Sequence, residues 1–385
     1  MKTFLKIFLL VFFISNLAVC NADHKKHNKD YSFKQNSTPF ADKQFIKVAL
    51  LLDTSNSMDG LIDQAKAQLW KIVNELSYAK CKDKKPYLQI ALYEYGNDKL
   101  NGYEGYIRQV LAFSEDLDEI SKELFSLTTN GGNEYCGQVI QVSLDQLQWG
   151  NNPDDLKLIF IAGNEPFTQG KVNYKDASKK AHNNDITINT IFCGDYNQGI
   201  LSSWKDGADL AHGNYMAINH NHETVHIASP YDDHILMLNN KLNKTYIAYG
   251  DYGKQKITLQ TEQDLNAKNY SSANAVSRTV SKSSHLYKNS SWDLVDAEES
   301  DDFKYSDLKD AHLPKELKGK NETEIKAYVS KKRKERTSIQ KEIQTLNLKR
   351  KDYILKHQKE TSNALESALI NAIKTQAKIK KYKWQ

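Results

Sequence analysis

The feature that most constrains the fold is an apolar run that ends in a polar loop. Residues 45–52 read Phe-Ile-Lys-Val-Ala-Leu-Leu-Leu and are followed by Asp53. Such a run is typical of a strand that is buried on both faces of a parallel sheet. Beyond the loop, apolar residues recur at spacings of three and four, which predicts one stripe of a helix. They are Ile62, Ala65, Leu69, Val73 and Leu76. The sequence therefore predicts a β-α unit.

The same alternation of strands and helices continues to about residue 250. Further strands are predicted at about 87–93, 106–113, 156–162, 186–193 and 215–218, and helices at about 117–127, 135–149, 175–182 and 231–249. This order predicts an α/β fold, an open and mostly parallel sheet with helices on both faces. Gly250 is predicted to stop the last helix. Ligands of such folds bind beyond the carboxyl ends of the strands.

The loop after the first strand carries oxygen side chains at alternate positions. They belong to Asp53, Ser55 and Ser57. Hard divalent cations such as Mg²⁺ bind oxygen ligands of this kind, so the loop is a candidate metal site. The alternative is that Ser57 or Asp59 only caps the following helix, a common role for these residue types.

The segment Asp53-Thr54-Ser55-Asn56-Ser57 resembles the DxSxS signature of the metal-ion-dependent adhesion site of von Willebrand factor type A (vWA) domains. Together with the β-α order, the resemblance covers roughly residues 45–249. It implies a Rossmann-like vWA fold in which Ser55 and Ser57 bind Mg²⁺ or Mn²⁺ directly. Asp53 would act largely through water, and a carboxylate of a partner protein would complete the coordination.

Two other positions depart from the family pattern. Asn133 stands where the family has a threonine after Gly-Gly, and Gly163 stands where it has an aspartate after the central strand. We therefore predict Asn133 and Glu165 as further candidate ligands, with Thr128 or Thr129 as a substitute for the missing threonine. The resemblance thus implies an altered site.

Two cysteines fall on the ligand-binding edge of the predicted sheet. Cys136 begins the helix after the Gly-Gly loop, and Cys193 ends a strand. In an oxidising compartment we expect these two to form a disulfide and to leave Cys81 free. The alternative is a catalytic thiol at Cys136 with a pKa lowered by the helix N-terminus.

The first 22 residues resemble a secretory signal peptide, with a basic start, a short apolar run and a small-residue end. We predict cleavage after Ala22, a disordered leader over residues 23–43, and export to the periplasm or cell surface. The apolar run is short for a membrane anchor, which needs about 20 residues. A second alternative is lipidation at Cys20, and we expect a membrane partner only in that case.

The remaining chain is polar and charged. Residues 44–250 are predicted to form the vWA domain, residues 251–312 a polar extension and linker, and residues 313–385 a charged helical tail. Charged residues interrupt the apolar heptad of the tail, which favours a solvated stalk or helical hairpin over a stable coiled coil. They are Lys332, Arg336, Arg350 and His357.

Shorter segments downstream resemble a subgroup of exported bacterial vWA proteins that carry such a charged helical tail. They are residues 203–208, which include Trp204, and residues 292–297. Trp204 is predicted to pack in the core.

The sequence favours an exported binding protein that engages a protein partner. The alternative is a metal-free structural or assembly scaffold that interacts through its helical tail. The chain has no nucleophile elbow, phosphate loop or zinc motif, so we predict no enzymatic activity. Its net charge of +5 falls to about +3 without Lys2 and Lys6, which is too mild to predict a nucleic-acid partner.

Overall fold

The computed structural model describes residues 43–219, 227–357 and 364–384, with only the backbone at 364–368. The predicted signal peptide, most of the leader and Cys20 lie outside these residues. No helix within the described part of the chain is both long enough and apolar enough to cross a membrane.

The strands form one large sheet and one small sheet. They are β1 (Phe45–Asp53), β2 (Ala79–Cys81), β3 (Tyr87–Tyr95), β4 (Ile107–Ser114), β5 (Leu156–Gly163), β6 (Thr187–Cys193), β7 (Tyr215–Ile218) and β8 (Tyr382–Trp384). The large sheet has the order β4-β3-β1-β5-β6-β7, and β2 pairs with β8. In the large sheet β4 runs antiparallel to β3 and the other pairs are parallel. The predicted mostly parallel sheet is confirmed.

Helices cover both faces of the large sheet. They are α1 (Asp59–Leu76), α2 (Leu117–Ser126), α3 (Cys136–Gln146), α4 (Tyr174–Asn183), α5 (Tyr196–Leu201), α6 (Trp204–Leu210), α7 (Asp232–Asn243), α8 (Gly253–Tyr270), α9 (Ser272–Lys282), α10 (Leu294–Ala297), α11 (Glu322–His357) and α12 (Ala364–Ile379). Trp204 is fully buried, as predicted. The predicted end of α7 near residue 249 is wrong, because Ile247 N donates to Asp293 Oδ1 at 2.6 Å and the chain there pairs with residue 293.

Each face of the sheet has its own apolar core. One core lies under α1, where Ile62, Leu69 and Val73 form the predicted buried stripe. The other lies under α3, α4 and α6 and contains Trp204. Because side chains alternate along a strand, neighbouring residues of each central strand contribute to different cores.

The polar segment after residue 250 is largely helical where the sequence predicts an extension. Helix α9 packs against α1, α7 and α8. Its Arg278 is buried and lies 2.8 Å from Asp118 of α2 and 2.6 Å from Asp264 of α8. Lys282 Nζ lies 2.9 Å from Asp264 Oδ2. Paired charges let this segment pack without a long apolar stripe, since a buried charge is tolerated when it is paired.

Helix α11 lies along the domain instead of forming a solvated stalk. It contacts α7, α9 and α10. Arg336 Nη1 lies 2.7 Å from Asp293 Oδ2 and 2.7 Å from Asp296 Oδ1. The Arg336 guanidinium also stacks over the Tyr246 ring at 4.1 Å. Two of the charged interruptions of the heptad, Arg336 and Arg350, therefore attach the helix, since Arg350 Nε lies 2.9 Å from Asp232 Oδ1 of α7.

The last described segment completes the face of the sheet that α1 covers. Helix α12 contacts α1, β5 and β7, and Ile373 and Ala377 are buried there. The side-chain amides of Gln376 and Asn189 exchange two hydrogen bonds, of 2.6 Å and 3.1 Å. Strand β8 then pairs antiparallel with β2, with Ala79 opposite Trp384. The C-terminal segment is thus part of the apolar core under α1.

One histidine makes the stability of this fold depend on pH. His285 is half-buried, and burial lowers its pKa to about 4, helped by the positive charges of Lys85 and Lys288. Its unfolded pKa is about 6.5, so the unfolded state binds more protons between these values. A pKa difference of about 2.5 is worth about 3 kcal/mol at full burial, and water screens part of it because the ring is half-buried. The free energy of unfolding should therefore fall by about 1–3 kcal/mol as pH drops from about 6.5 to about 4.

Chemical denaturation of His285→Gln at several pH values tests this expectation. The variant should lose that part of the pH slope, whereas the exposed His182→Gln variant should keep it. Identical slopes in His285→Gln and the parent would contradict the assignment.

Candidate functional site

The candidate site lies at the carboxyl ends of the parallel strands. We call the loops there, residues 54–58, 96–106, 127–135 and 164–173, the rim. Asp53, the last residue of β1, is fully buried at this edge. Its Oδ1 accepts a 2.7 Å hydrogen bond from Ser55 N, while its Oδ2 is buried with no hydrogen-bond partner. Since a buried oxygen without a partner is costly, Asp53 Oδ2 lies where a cation or proton would be stabilised.

The two serines lie beside each other at the start of the rim. Their hydroxyl oxygens are 3.4 Å apart, and Ser57 Oγ also accepts a 3.2 Å hydrogen bond from Asn164 Nδ2. Neither serine caps a helix, because the turn at Asn56–Met58 and α1 both begin without a side-chain cap. Asp59 is the first residue of α1, and its carboxylate accepts from the hydroxyl of Thr129. The capping alternative is therefore not what the structure shows.

Glu134 is the acidic residue of the Gly-Gly loop that lies next to Asp53. It is buried, whereas the adjacent Asn133 is exposed. Burial raises the pKa of Asp53 well above its usual value, and the Glu134 carboxylate raises it further. Burial also raises the pKa of Glu134. Two adjacent carboxyl groups with raised pKa values are held together here by the fold.

Gly96 allows the carboxyl groups of Asp53 and Glu134 to lie close together. A Cβ atom built on Gly96 would lie 2.8 Å from Asp53 Oδ1 and 2.8 Å from Glu134 Cγ, and its φ of +80° disfavours other residues. Sequence reasoning selected Asn133 by its place in the family motif and missed Glu134. The available signal was that Glu134 is the acidic residue of that loop.

The other predicted ligand, Glu165, is exposed and contributes through its backbone. Its N donates to Glu134 Oε2 at 3.3 Å, and its own carboxylate accepts from Gln169 Nε2 at 3.2 Å. The negative charge of Glu165 is one further cause of the raised pKa of Glu134. Glu165 therefore helps to position Glu134 and lies near the site.

Gly163 occupies the family position of the aspartate, and the structure explains why it is a glycine. A Cβ atom there would lie 2.5 Å from Tyr95 Oη and 3.1 Å from Asp53 Oδ2. Tyr95 is itself fixed, since its hydroxyl donates to Ala162 O at 2.9 Å. The tyrosine thus fills the space in which an aspartate side chain would stand.

The predicted disulfide between Cys136 and Cys193 is not formed, since the three cysteines within the described residues are free and buried. The physical reason is the alternation along β6. Cys193 points into the core under α1, whereas Cys136 lies in the core on the other face of the sheet. Burial also raises the pKa of Cys136 well above its usual value, which argues against a reactive thiolate there.

The donor set fits a hard divalent cation. Asp53, Glu134, Ser55 and Ser57 would supply two carboxylates and two hydroxyls, and Mg²⁺ and Mn²⁺ prefer oxygen ligands of this kind. Over the described ranges, no three Asp, Glu, His or Cys side chains come together as a metal cluster. The serine hydroxyls would therefore have to be ligands. When bound, the cation would supply a positive charge that attracts carboxylates.

These features define the class of the protein: it contains a doubly wound α/β domain with an oxygen-donor loop at the carboxyl end of its first strand. The family model of the von Willebrand factor type A domain matches residues 47–226. This part of the chain is a vWA domain, which is a protein-interaction module.

Solved structures that are similar to part of this chain include one described as a vWA domain. The SpRpn10 VWA domain is 16% identical, with a TM-score of 0.34, and the match covers 45% of this chain and 87% of that chain. BatB from Bacteroides thetaiotaomicron is 14% identical, with a TM-score of 0.35 and coverages of 45% and 90%. An aerotolerance-related membrane protein from Bacteroides fragilis is 16% identical, with a TM-score of 0.30 and coverages of 46% and 93%. Comparison with curated proteins gave no match.

Proposed function

We propose that the chain is an exported binding protein whose rim engages a protein partner through a divalent cation. Ser55, Ser57 and Glu134 are the proposed direct ligands. The buried carboxylate of Asp53 stabilises the cation by its negative charge. The observation that carries this proposal is the buried Asp53 Oδ2, which has no hydrogen-bond partner and lies beside the Glu134 carboxyl group.

The energetics of the two carboxyl groups favour an added positive charge. Two adjacent buried carboxylates repel each other, and desolvation penalises both charged forms. A proton shared by Asp53 and Glu134 relieves part of this cost. A divalent cation relieves more, because it neutralises both charges and is also a partner for Asp53 Oδ2.

An acidic side chain is the proposed recognition element of the partner. Three direct protein ligands leave room in the coordination shell of Mg²⁺, which usually has six ligands. A carboxylate from the partner would complete the shell, as the family resemblance implies. The proposed location, the periplasm or cell surface, follows from the signal-peptide pattern of residues 1–22.

Calorimetric titration with Mg²⁺ and Mn²⁺ tests the cation site in the chain that begins at residue 23. We expect Asp53→Asn and Glu134→Gln each to weaken binding by at least about tenfold. The matched control is Asn133→Ala, which should bind as the parent does. Glu165→Gln keeps the backbone N–H that binds Glu134 and should weaken binding far less than Glu134→Gln. Loss of binding in Glu165→Gln but not in Glu134→Gln would overturn the assignment of Glu134.

A metal-free scaffold is the second candidate function, and Gly163 is the observation that favours it. Without the aspartate at this position, the site has one carboxylate fewer than the family pattern. A folded parent that gives no binding heat with either cation would support this candidate. So would a partner that binds the Asp53→Ala, Ser55→Ala double variant as tightly as the parent.

A further inference from the structure

A second charged surface lies at the amino ends of the strands, opposite the rim. Strand β8 pairs with β2 there, and Tyr382 Oη donates to Phe45 O at the start of β1 at 3.4 Å and to Asp154 O just before β5 at 3.0 Å. The pairing brings together two lysine-rich segments from distant parts of the chain. We call this surface the basic edge. It comprises Lys80, Lys82, Lys84, Lys85, Lys378, Lys380, Lys381 and Lys383.

Part of this charge is neutralised within the protein, and part is not. Lys82 pairs with Asp154 at 2.5 Å, and Lys380 pairs with Asp185 at 2.5 Å. By contrast, the exposed side chains of Lys378, Lys381 and Lys383 form no ion pair with any described residue. Asp83 is an exposed carboxylate on the β2 turn.

The positions of several of these lysines lower the stability of the fold. Lys80 and Lys383 stand directly opposite each other in the β2–β8 pair, and like charges at such positions destabilise a sheet. Lys82 and Lys381 have φ angles of +50° and +63°, in the left-handed region that favours glycine or asparagine. Other residues at these positions would give a more stable fold. An anionic partner that covers the surface would offset the repulsion.

An apolar side chain distinguishes between anionic partners. Ile379 lies between Lys378 and Lys380 and is 77% exposed. An isoleucine adds nothing to the recognition of a phosphate backbone in water, but it gains by entering the boundary of a lipid bilayer. Lysines around an exposed apolar residue are the pattern of a surface that lies in the interface of an anionic membrane.

We propose that the basic edge binds the anionic headgroups of a phospholipid membrane, with Ile379 inserted at the level of the headgroups. Since the rim lies at the other end of the strands, a domain bound in this way presents the rim away from the membrane.

Cosedimentation with vesicles tests the proposal. The probes are vesicles of phosphatidylcholine alone and of phosphatidylcholine mixed with phosphatidylglycerol. We expect binding to the mixed vesicles only, weakened by salt because the attraction is screened. The Lys378→Glu, Lys381→Glu, Lys383→Glu triple variant should bind at least about tenfold more weakly. Ile379→Ser should weaken binding to the same vesicles without changing its salt dependence.

A matched triple variant shows whether position matters or only net charge. Lys331→Glu, Lys334→Glu and Lys341→Glu make the same charge change on the exposed side of α11 and should leave vesicle binding near the parent value. Equal losses in both triple variants would overturn the proposal. Binding to heparin or DNA but not to the mixed vesicles would overturn it as well, in favour of a soluble polyanion.

Discussion

Replacing Arg336 with alanine should lower the free energy of unfolding by about 3–5 kcal/mol, the loss expected when one partner of a buried ion pair is removed. Arg336 is 4% exposed, and its guanidinium holds the buried Asp293 and the partly buried Asp296. Without Arg336, both carboxylates remain in the interior with no cation. Burial and the charge of Asp293 already raise the pKa of Asp296 to about 6, so the loss should shrink as the pH is lowered towards 5.

Urea denaturation of Arg336→Ala and of Lys334→Ala measures this effect. Lys334 lies on the same helix, is exposed, and should change the free energy of unfolding by no more than about 0.5 kcal/mol. Similar values for the two variants would mean that α11 is not held by the Arg336 pair.

Introducing the family's aspartate with Gly163→Asp should destabilise the domain by more than about 3 kcal/mol. The Cβ atom alone would overlap with Tyr95 Oη, and overpacking of this kind costs about 1–3 kcal/mol. The new carboxylate would also be buried beside Asp53 and Glu134, and desolvating such a charge costs several kcal/mol. Thermal unfolding followed by circular dichroism is the measurement.

The double variant Gly163→Asp, Tyr95→Phe separates the two causes. Removing the tyrosine hydroxyl relieves the overlap, so the double variant should be more stable than Gly163→Asp alone. Addition of Mg²⁺ should stabilise the double variant further if the three carboxylates hold the cation together. A Gly163→Asp variant as stable as the parent would contradict the account of why this position is a glycine.

The large sheet was predictable because its strands carry strong local signals. The run 45–52 is apolar on both faces, and it forms β1 in the centre of the sheet. The helix that follows has its apolar residues on one stripe, and they are buried in one core. Both signals depend on residues that are close in the sequence, and tertiary packing does not override them here.

The candidate site was predicted in part. Asp53, Ser55 and Ser57 lie together, and their binding of a cation stays a prediction. Glu134 was missed because the loop before α3 has no periodicity, so the sequence cannot show which of two adjacent residues points inwards. The disulfide prediction was wrong because the shared edge of Cys136 and Cys193 says nothing about the face of the sheet on which each thiol lies.

The C-terminal helices could not be placed from the sequence. Arg336 and Arg350 interrupt an apolar heptad, which is the usual mark of a solvated helix. Their partners, Asp293 and Asp232, lie elsewhere in the chain, and no local pattern pairs them. The burial of charged residues on α11 became evident only from these long-range contacts.

The pairing of β2 with β8 also limits the order in which parts of the fold can form. Cys81 Sγ contacts Lys380 O, a residue 299 positions later in the chain. A chain that is synthesised or translocated with its amino end first presents β1, α1 and β2 long before α12 and β8. Contacts of such high sequence separation form late in folding. Until they form, the surface that α12 covers stays open to water, and the nascent protein has to be kept from aggregating for that time.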